Sequence, residues 1–130
     1  MAANAQWTSE SRKRQEIIEN RLKAFAVSVI RYCRDAYDDR LLKPCIDQGI
    51  RSATSIGANV SEGQGSVSRK EFVQYLSIAY KSAKETAYWL SLIKDLRGKD
   101  DMSLASLERE NNEIIRILAV SIKTVRSSLP

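Results

Sequence analysis

The 130-residue chain contains no histidine, and that absence decides most of the chemistry open to it. Without imidazole there is no ordinary general base, no common metal ligand and no side chain that changes charge near neutral pH. Ser52, Ser55 and Cys33 therefore have no natural base to activate them as nucleophiles. The acids do not compensate. Asp38-Asp39 and Asp100-Asp101 fall in polar stretches that read as turns, where solvated caps are expected rather than a converging pair of carboxylates. Glu62 and Glu85 stand beside core-like stretches, but helix termination and hydrogen bonding account for them more simply than a metal does. The Glu-x-x-His motif of a bundle di-metal site does not occur. Cys33 and Cys45 fit no zinc or Cys-x-x-Cys spacing. Both sit among apolar residues, as buried reduced thiols do; a disulfide between them stays open. No catalytic residue, metal or cofactor is expected.

Two features point instead towards binding. Gly63-Gln64-Gly65 precedes a helix start and could cradle a phosphate, but the lysine and second half of a P-loop are missing, so a plain turn is the simpler reading. The cations carry more information. The chain has a net charge of +5. Residues 64–99 alone carry +4 and residues 1–43 carry +3, while the remainder nearly cancels. Lys70, Lys81, Lys84 and Tyr88 fall within a narrow arc of one helix, and Arg109, Arg116 and Lys123 repeat every seven residues on another, with Arg126 beside them. Phosphates can follow such stripes. On one protomer a merely solvated face is the competing reading, and symmetry in an oligomer would multiply each stripe around an axis.

The elements that position these residues follow from periodicity. With only five Gly and two Pro, long helices are favoured over a sheet with many turns. Ile18, Leu22, Phe25, Val29 and Cys33 recur at helical spacing, which predicts a first helix from about Ser9 to Tyr37, preceded by a flexible segment 1–8. Pro44 suits the first turn of a second helix, from about Pro44 to Glu62. Its apolar side is unusually small: Ile46, Gly49, Ile50, Ala53, Gly57 and Val60. Mid-helix glycines cost about 1 kcal/mol each against alanine, so close packing must compensate. Its other side is polar: Gln48, Arg51, Ser52, Ser55, Asn59 and Glu62.

Gly63 fits a left-handed helix cap. Ser68-Arg69-Lys70-Glu71 has the form of a capping box, with the Glu71 carboxylate returning to Ser68. A third helix then runs to about Arg97, its core stripe formed by Phe72, Leu76, Ala79, Ala83, Leu90 and Ile93. Ile78, Trp89 and Leu96 make a second apolar strip a quarter-turn away, more than one bundle core needs, which suggests a subunit interface. After Gly98-Lys99-Asp100-Asp101, a fourth helix runs from about Ser103 to Val125 with Leu104, Leu107, Ile114, Ile115, Leu118, Ile122 and Val125 on its buried side. The fold expected is all-α: one up-down antiparallel four-helix bundle over residues 9–127. No apolar run approaches the length of a membrane span and the N-terminus lacks a signal-peptide layout, so a cytoplasmic protein without a membrane partner is expected.

The stretch from Gln48 to Gly63, with its Gln, its Arg51-Ser52 pair, Ser55-Ile56, Asn59 and Glu62, resembles the hallmark of the "four helix bundle protein" family. That family includes proteins encoded in intervening sequences of bacterial large-subunit ribosomal RNA. Ser68-Arg69-Lys70-Glu71-Phe72, Leu76-Ser77-Ile78-Ala79, Ser82, Glu85-Thr86 and Tyr88-Trp89-Leu90 resemble the family's next helix, in order and without gaps. The likeness covers about residues 15–126. It departs at Ser66-Val67, where many members carry arginine-rich residues, and at Lys81, where many have glycine.

The resemblance implies a ring-like homopentamer. A related group, the accessory variability proteins of diversity-generating retroelements, consists of basic pentamers that bind RNA or DNA and partner the element's reverse transcriptase. The expectation is accordingly a non-catalytic oligomeric scaffold that contacts nucleic acid through Lys70, Lys81, Lys84, Arg109, Arg116, Lys123 and Arg126. Gln48, Arg51, Ser55, Asn59, Ile78, Trp89 and Leu96 would lie at the oligomer interface. The alternative is an intervening-sequence type of bundle that acts as a protein-only assembly module.

Overall fold

Helices start and stop in this chain where side chains can replace lost backbone partners. In the computed structural model, which describes residues 8–129, the Thr8 hydroxyl accepts the Ser11 N–H at 3.0 Å and opens α1 (Ser9–Ala36). Thr8 is thus an ordered cap, and the rest of the segment expected to be flexible lies outside the described residues. Pro44 sits in the first turn of α2 (Lys43–Gly63). Ser68 caps α3 (Arg69–Arg97) by accepting the Glu71 N–H at 3.1 Å. The return contact differs from the expected box: the Glu71 carboxylate accepts from the N–H of Val67 at 3.3 Å, one residue earlier than Ser68. Asp101 caps α4 (Met102–Ser127) through the Leu104 N–H at 3.1 Å.

Each helix runs antiparallel to the next, and α4 closes the bundle against α1. The α2–α3 pair is the most extensively packed and the α1–α4 pair the least. Around this square α1 lies diagonal to α3, and the α2–α3 face is opposite the α4–α1 face. All four helices turn their apolar stripes inward. Leu22, Phe25, Val29 and Cys33 meet Ile46, Ala53, Ile56, Val60, Leu76, Leu90, Ile93, Leu104, Ile114 and Leu118, all buried. Each valine, leucine, isoleucine or phenylalanine among them contributes about 1.5–3 kcal/mol on leaving water.

Close approach accounts for Gly57 and Gly63 of α2 and leaves Gly49 in ordinary contact. A Cβ at Gly57 would stand 3.3 Å from Leu22 Cβ, and one at Gly49 would stand 3.5 Å from Trp89 Cβ. Gly63 is not the left-handed cap expected of it. It lies inside α2, and a Cβ there would come within 3.0 Å of both Phe72 and Tyr75. Among the described residues the left-handed glycine is Gly98, with φ of 63° at the end of α3, where its N–H reaches the Lys94 carbonyl.

Among the described residues Ser52, Thr86 and Asn111 are buried between helices, and Ser66 is buried in the α2–α3 turn. The Ser52 hydroxyl lies 2.8 Å from that of Thr86 and donates to the Gly49 carbonyl. The Asn111 amide donates to the Ala83 carbonyl at 3.0 Å, while its Oδ1 has no partner. These bonds tie α2 to α3 and α3 to α4 inside the core.

Candidate functional site

The polar stripe of α2 divides between the protomer's interior and its surface. Ser52 is buried against α3. Ser55 lies within hydrogen-bonding distance of the Ser82 hydroxyl at 2.6 Å and of its own helix at the Ser52 carbonyl. Asn59 donates to the Ser55 carbonyl at 2.8 Å. Three of the six stripe residues are thus engaged within the protomer, whereas Gln48, Arg51 and Glu62 are exposed. The reason is the small apolar side of α2. With Gly49 and Ala53 at the contact, α3 comes near enough for hydroxyls on the two helices to meet.

Beside this stripe runs the second apolar strip of α3. Ile78 and Leu96 are 48% and 52% exposed. Trp89 is half-buried, its indole N–H donates to Glu85 at 2.8 Å, and its ring meets Tyr88 edge-on with centroids 5.1 Å apart. A hollow next to Ile78 is walled by Glu71, Gln74 and Tyr75. The α2–α3 face thus presents aliphatic and aromatic surface bordered by amide, guanidinium and carboxylate groups. Among the described residues Glu62, Glu71 and Glu85 make no ion pair.

The cations singled out in the sequence are exposed on two adjacent helices. Lys70, Lys81 and Lys84 line the outward surface of α3 with Tyr88. Arg109, Arg116, Lys123 and Arg126 line that of α4. Arg116 is paired with Glu113, which holds the Glu113 carboxyl below its ordinary range. The other six make no ion pair among the described residues.

The opposite face is a groove. The sparse α1–α4 contact leaves an open channel of about 760 Å³, walled in part by Ala24, Ser28, Arg31, Ser103 and Ser106. Arg21 bridges it with a two-pronged hydrogen bond to Glu110, at 2.7 and 2.8 Å.

One cluster escaped the sequence reading. The Tyr32 hydroxyl donates to Asp101 at 2.8 Å, Arg97 lies 3.8 Å from the same carboxylate, and its guanidinium stands over the Tyr32 ring. Burial pushes the Tyr32 phenol well above its usual value, and the bond to Asp101 adds to this. Burial alone would raise Asp101, but the Leu104 N–H, the Tyr32 hydroxyl and Arg97 outweigh it and hold the carboxyl below the ordinary range. An Asp before a helix start is legible as a cap; its tyrosine partner, 69 residues away, is not.

Nucleophile chemistry finds no support in this geometry. Cys33 is buried, and desolvation pushes its thiol up to about 11, away from the reactive thiolate. Cys45 is half-buried and both cysteines are free. Glu62 and Glu85 are exposed. Among the described residues no three acids or cysteines converge as a metal site would require, and no helix is long and apolar enough to cross a membrane.

The model of the 23S rRNA-intervening sequence protein family matches residues 14–120, which include all of α2 and α3. The chain belongs to that family. A crystal structure of a protein of unknown function from the S23 ribosomal protein family of Bacteroides thetaiotaomicron is similar, with a TM-score of 0.76 and 31% sequence identity. The likeness covers 82% of this chain and 98% of that one. No curated protein matches.

Proposed function

We propose that this member of the intervening-sequence family is a non-catalytic assembly module that docks copies of itself through the α2–α3 face. One observation carries the reading: the strip of Ile78, Trp89 and Leu96 stays uncovered beside Gln48 and Arg51. Apolar surface rimmed by polar groups is the composition of an interface. Ser55 contributes by meeting Ser82 of α3, and Asn59 by bonding back to the Ser55 carbonyl of its own helix, rather than by reaching out of the face. The ring-like homopentamer implied by the family resemblance is the assembly proposed. Mass in solution tests it. Wild-type protein at micromolar concentration is expected to exceed the mass of two chains, and Ile78→Glu, at an exposed position, is expected to fall to one chain with its helicity intact. A wild-type monomer at every concentration would sink the reading.

A second reading rests on the six cations of α3 and α4 that make no ion pair among the described residues, which an assembly would repeat around its axis. In it the module binds RNA or DNA through the phosphate backbone, with Lys70, Lys81, Lys84, Arg109, Arg116, Lys123 and Arg126 as contacts, and docks a reverse transcriptase of a retroelement. Lys81→Glu with Lys84→Glu is then expected to weaken binding and flatten its dependence on salt. Binding unchanged by both substitutions would leave the face merely solvated.

A further inference from the structure

We infer that a hollow at the end of the bundle where α1 begins and α4 ends is the seat of the chain's own N-terminal segment, with the indole of Trp7 as its anchor. The hollow, of about 460 Å³, lies between the first turns of α1 and the last turns of α4. Ile18, Val125 and the buried Phe72 supply its hydrocarbon, together with Val120, which is 63% exposed. Of the neighbouring helices in the bundle, α1 and α4 pack least against each other, which is why such surface is left between them.

Position favours this occupant. Trp7 directly precedes Thr8, whose hydroxyl accepts the Ser11 N–H at 3.0 Å, and Ser11 is part of the wall of the hollow. The chain therefore enters α1 beside the hollow, and an indole one residue before the cap has a short path into it. An apolar residue before a cap often packs against the fourth residue of its own helix. Here that residue is Arg12, which is not the hydrophobic partner such packing uses.

Chemistry favours it as well. Among the described residues Arg14 and Arg69 are the charged members of the lining, and no acid belongs to it. Arg14 lies 4.0 Å from Glu10, both exposed, and Arg69 donates to the Ser128 hydroxyl. Guanidinium groups favour the face of an aromatic ring. A buried indole also needs an acceptor for its N–H, and Gln15, Ser121 and Thr124 of the lining carry acceptor oxygens. The segment Met1-Ala2-Ala3-Asn4-Ala5-Gln6-Trp7 has no charged side chain, so none of its side chains is repelled by the two arginines. Seated there, Trp7 ties the start of α1 to the end of α4 and to Phe72 of α3.

Fluorescence tests the seat. The chain has two tryptophans, so Trp89→Phe leaves Trp7 as the sole indole. In that parent chain its emission is expected at shorter wavelength than that of free tryptophan, with weak quenching by acrylamide. Val120→Asp then puts a carboxylate in the hollow, and Thr124→Tyr fills it with a ring; both positions are exposed, and circular dichroism confirms the helices. Either variant is expected to shift the emission to that of free tryptophan and to restore full quenching. Ile78→Glu, added to each chain, keeps assembly out of the readout. Emission like that of free tryptophan in the parent chain overturns the inference and leaves the hollow to a separate partner. Emission that neither Val120→Asp nor Thr124→Tyr moves, or that Ile78→Glu alone shifts to the free value, also overturns it, because the indole is then covered elsewhere.

Discussion

The glycines of α2 have different surroundings, and the differences have measurable signs. At Gly49 an added methyl meets Trp89 Cβ at 3.5 Å, an ordinary contact, whereas at Gly63 it meets Phe72 and Tyr75 at 3.0 Å. Gly49→Ala is therefore expected to stabilise the protein by roughly 0.5–1 kcal/mol, because alanine loses less backbone entropy in a helix. Gly63→Ala is expected to destabilise it by roughly 1–3 kcal/mol, because two aromatic side chains must move from a packed core. Urea unfolding midpoints compare the two directly, and a stabilised Gly63→Ala would show that the α2–α3 turn yields easily. The need for small residues was legible in the sequence of α2. Which neighbour imposed it was not, since Phe72, Tyr75 and Trp89 reach these glycines only once α3 folds back.

At the scale of helices, Asp101 joins three elements at one end of the bundle. It caps α4, accepts from Tyr32 of α1 and lies beside Arg97 of α3. Asp101→Ala is expected to cost about 0.5–2 kcal/mol through the cap alone, measured as a lower denaturation midpoint. The carboxyl also confers an acid-dependent term. Its folded value lies below the ordinary 3.8, so its contribution is whole above that value and is lost as pH falls through the lower, folded one. Asp101→Asn is expected to flatten this part of the acid-unfolding curve; an unchanged curve would mean that other carboxylates govern it. Helix positions were legible because caps and breakers are local: Pro44, Ser68, Gly98 and Asp101 mark their boundaries within a residue or two. Buried polar residues were legible in principle. Thr86 and Asn111 occupy the steps where the stripes Ala83–Leu90 and Leu107–Ile114 omit an apolar residue.

For the whole molecule, four amphipathic stripes specify an up-down bundle, and the residues left over specify its surroundings. The second strip of α3 was evident from its spacing. The groove opposite was not, because the looseness of a helix pair depends on how all four helices share the core. The basic stripes and the α2–α3 face also impose different conditions on the two functional readings. Assembly through apolar contact is expected to persist as salt rises, whereas phosphate binding is expected to weaken steeply over the same range. Measuring both in one salt series separates them.

The amide of Asn111 has a further consequence for how this chain reaches a single structure. Leucines and isoleucines along α3 and α4 offer similar surfaces at every turn, so sliding one helix along the other by a turn exchanges one methyl for another at little penalty. Asn111 is placed to donate to the carbonyl of Ala83. A slipped arrangement that takes its donor away from a carbonyl buries an amide without a partner, at about 1–3 kcal/mol. One side chain thereby distinguishes the native alignment from its near copies, spending a little of the core's stability to exclude them.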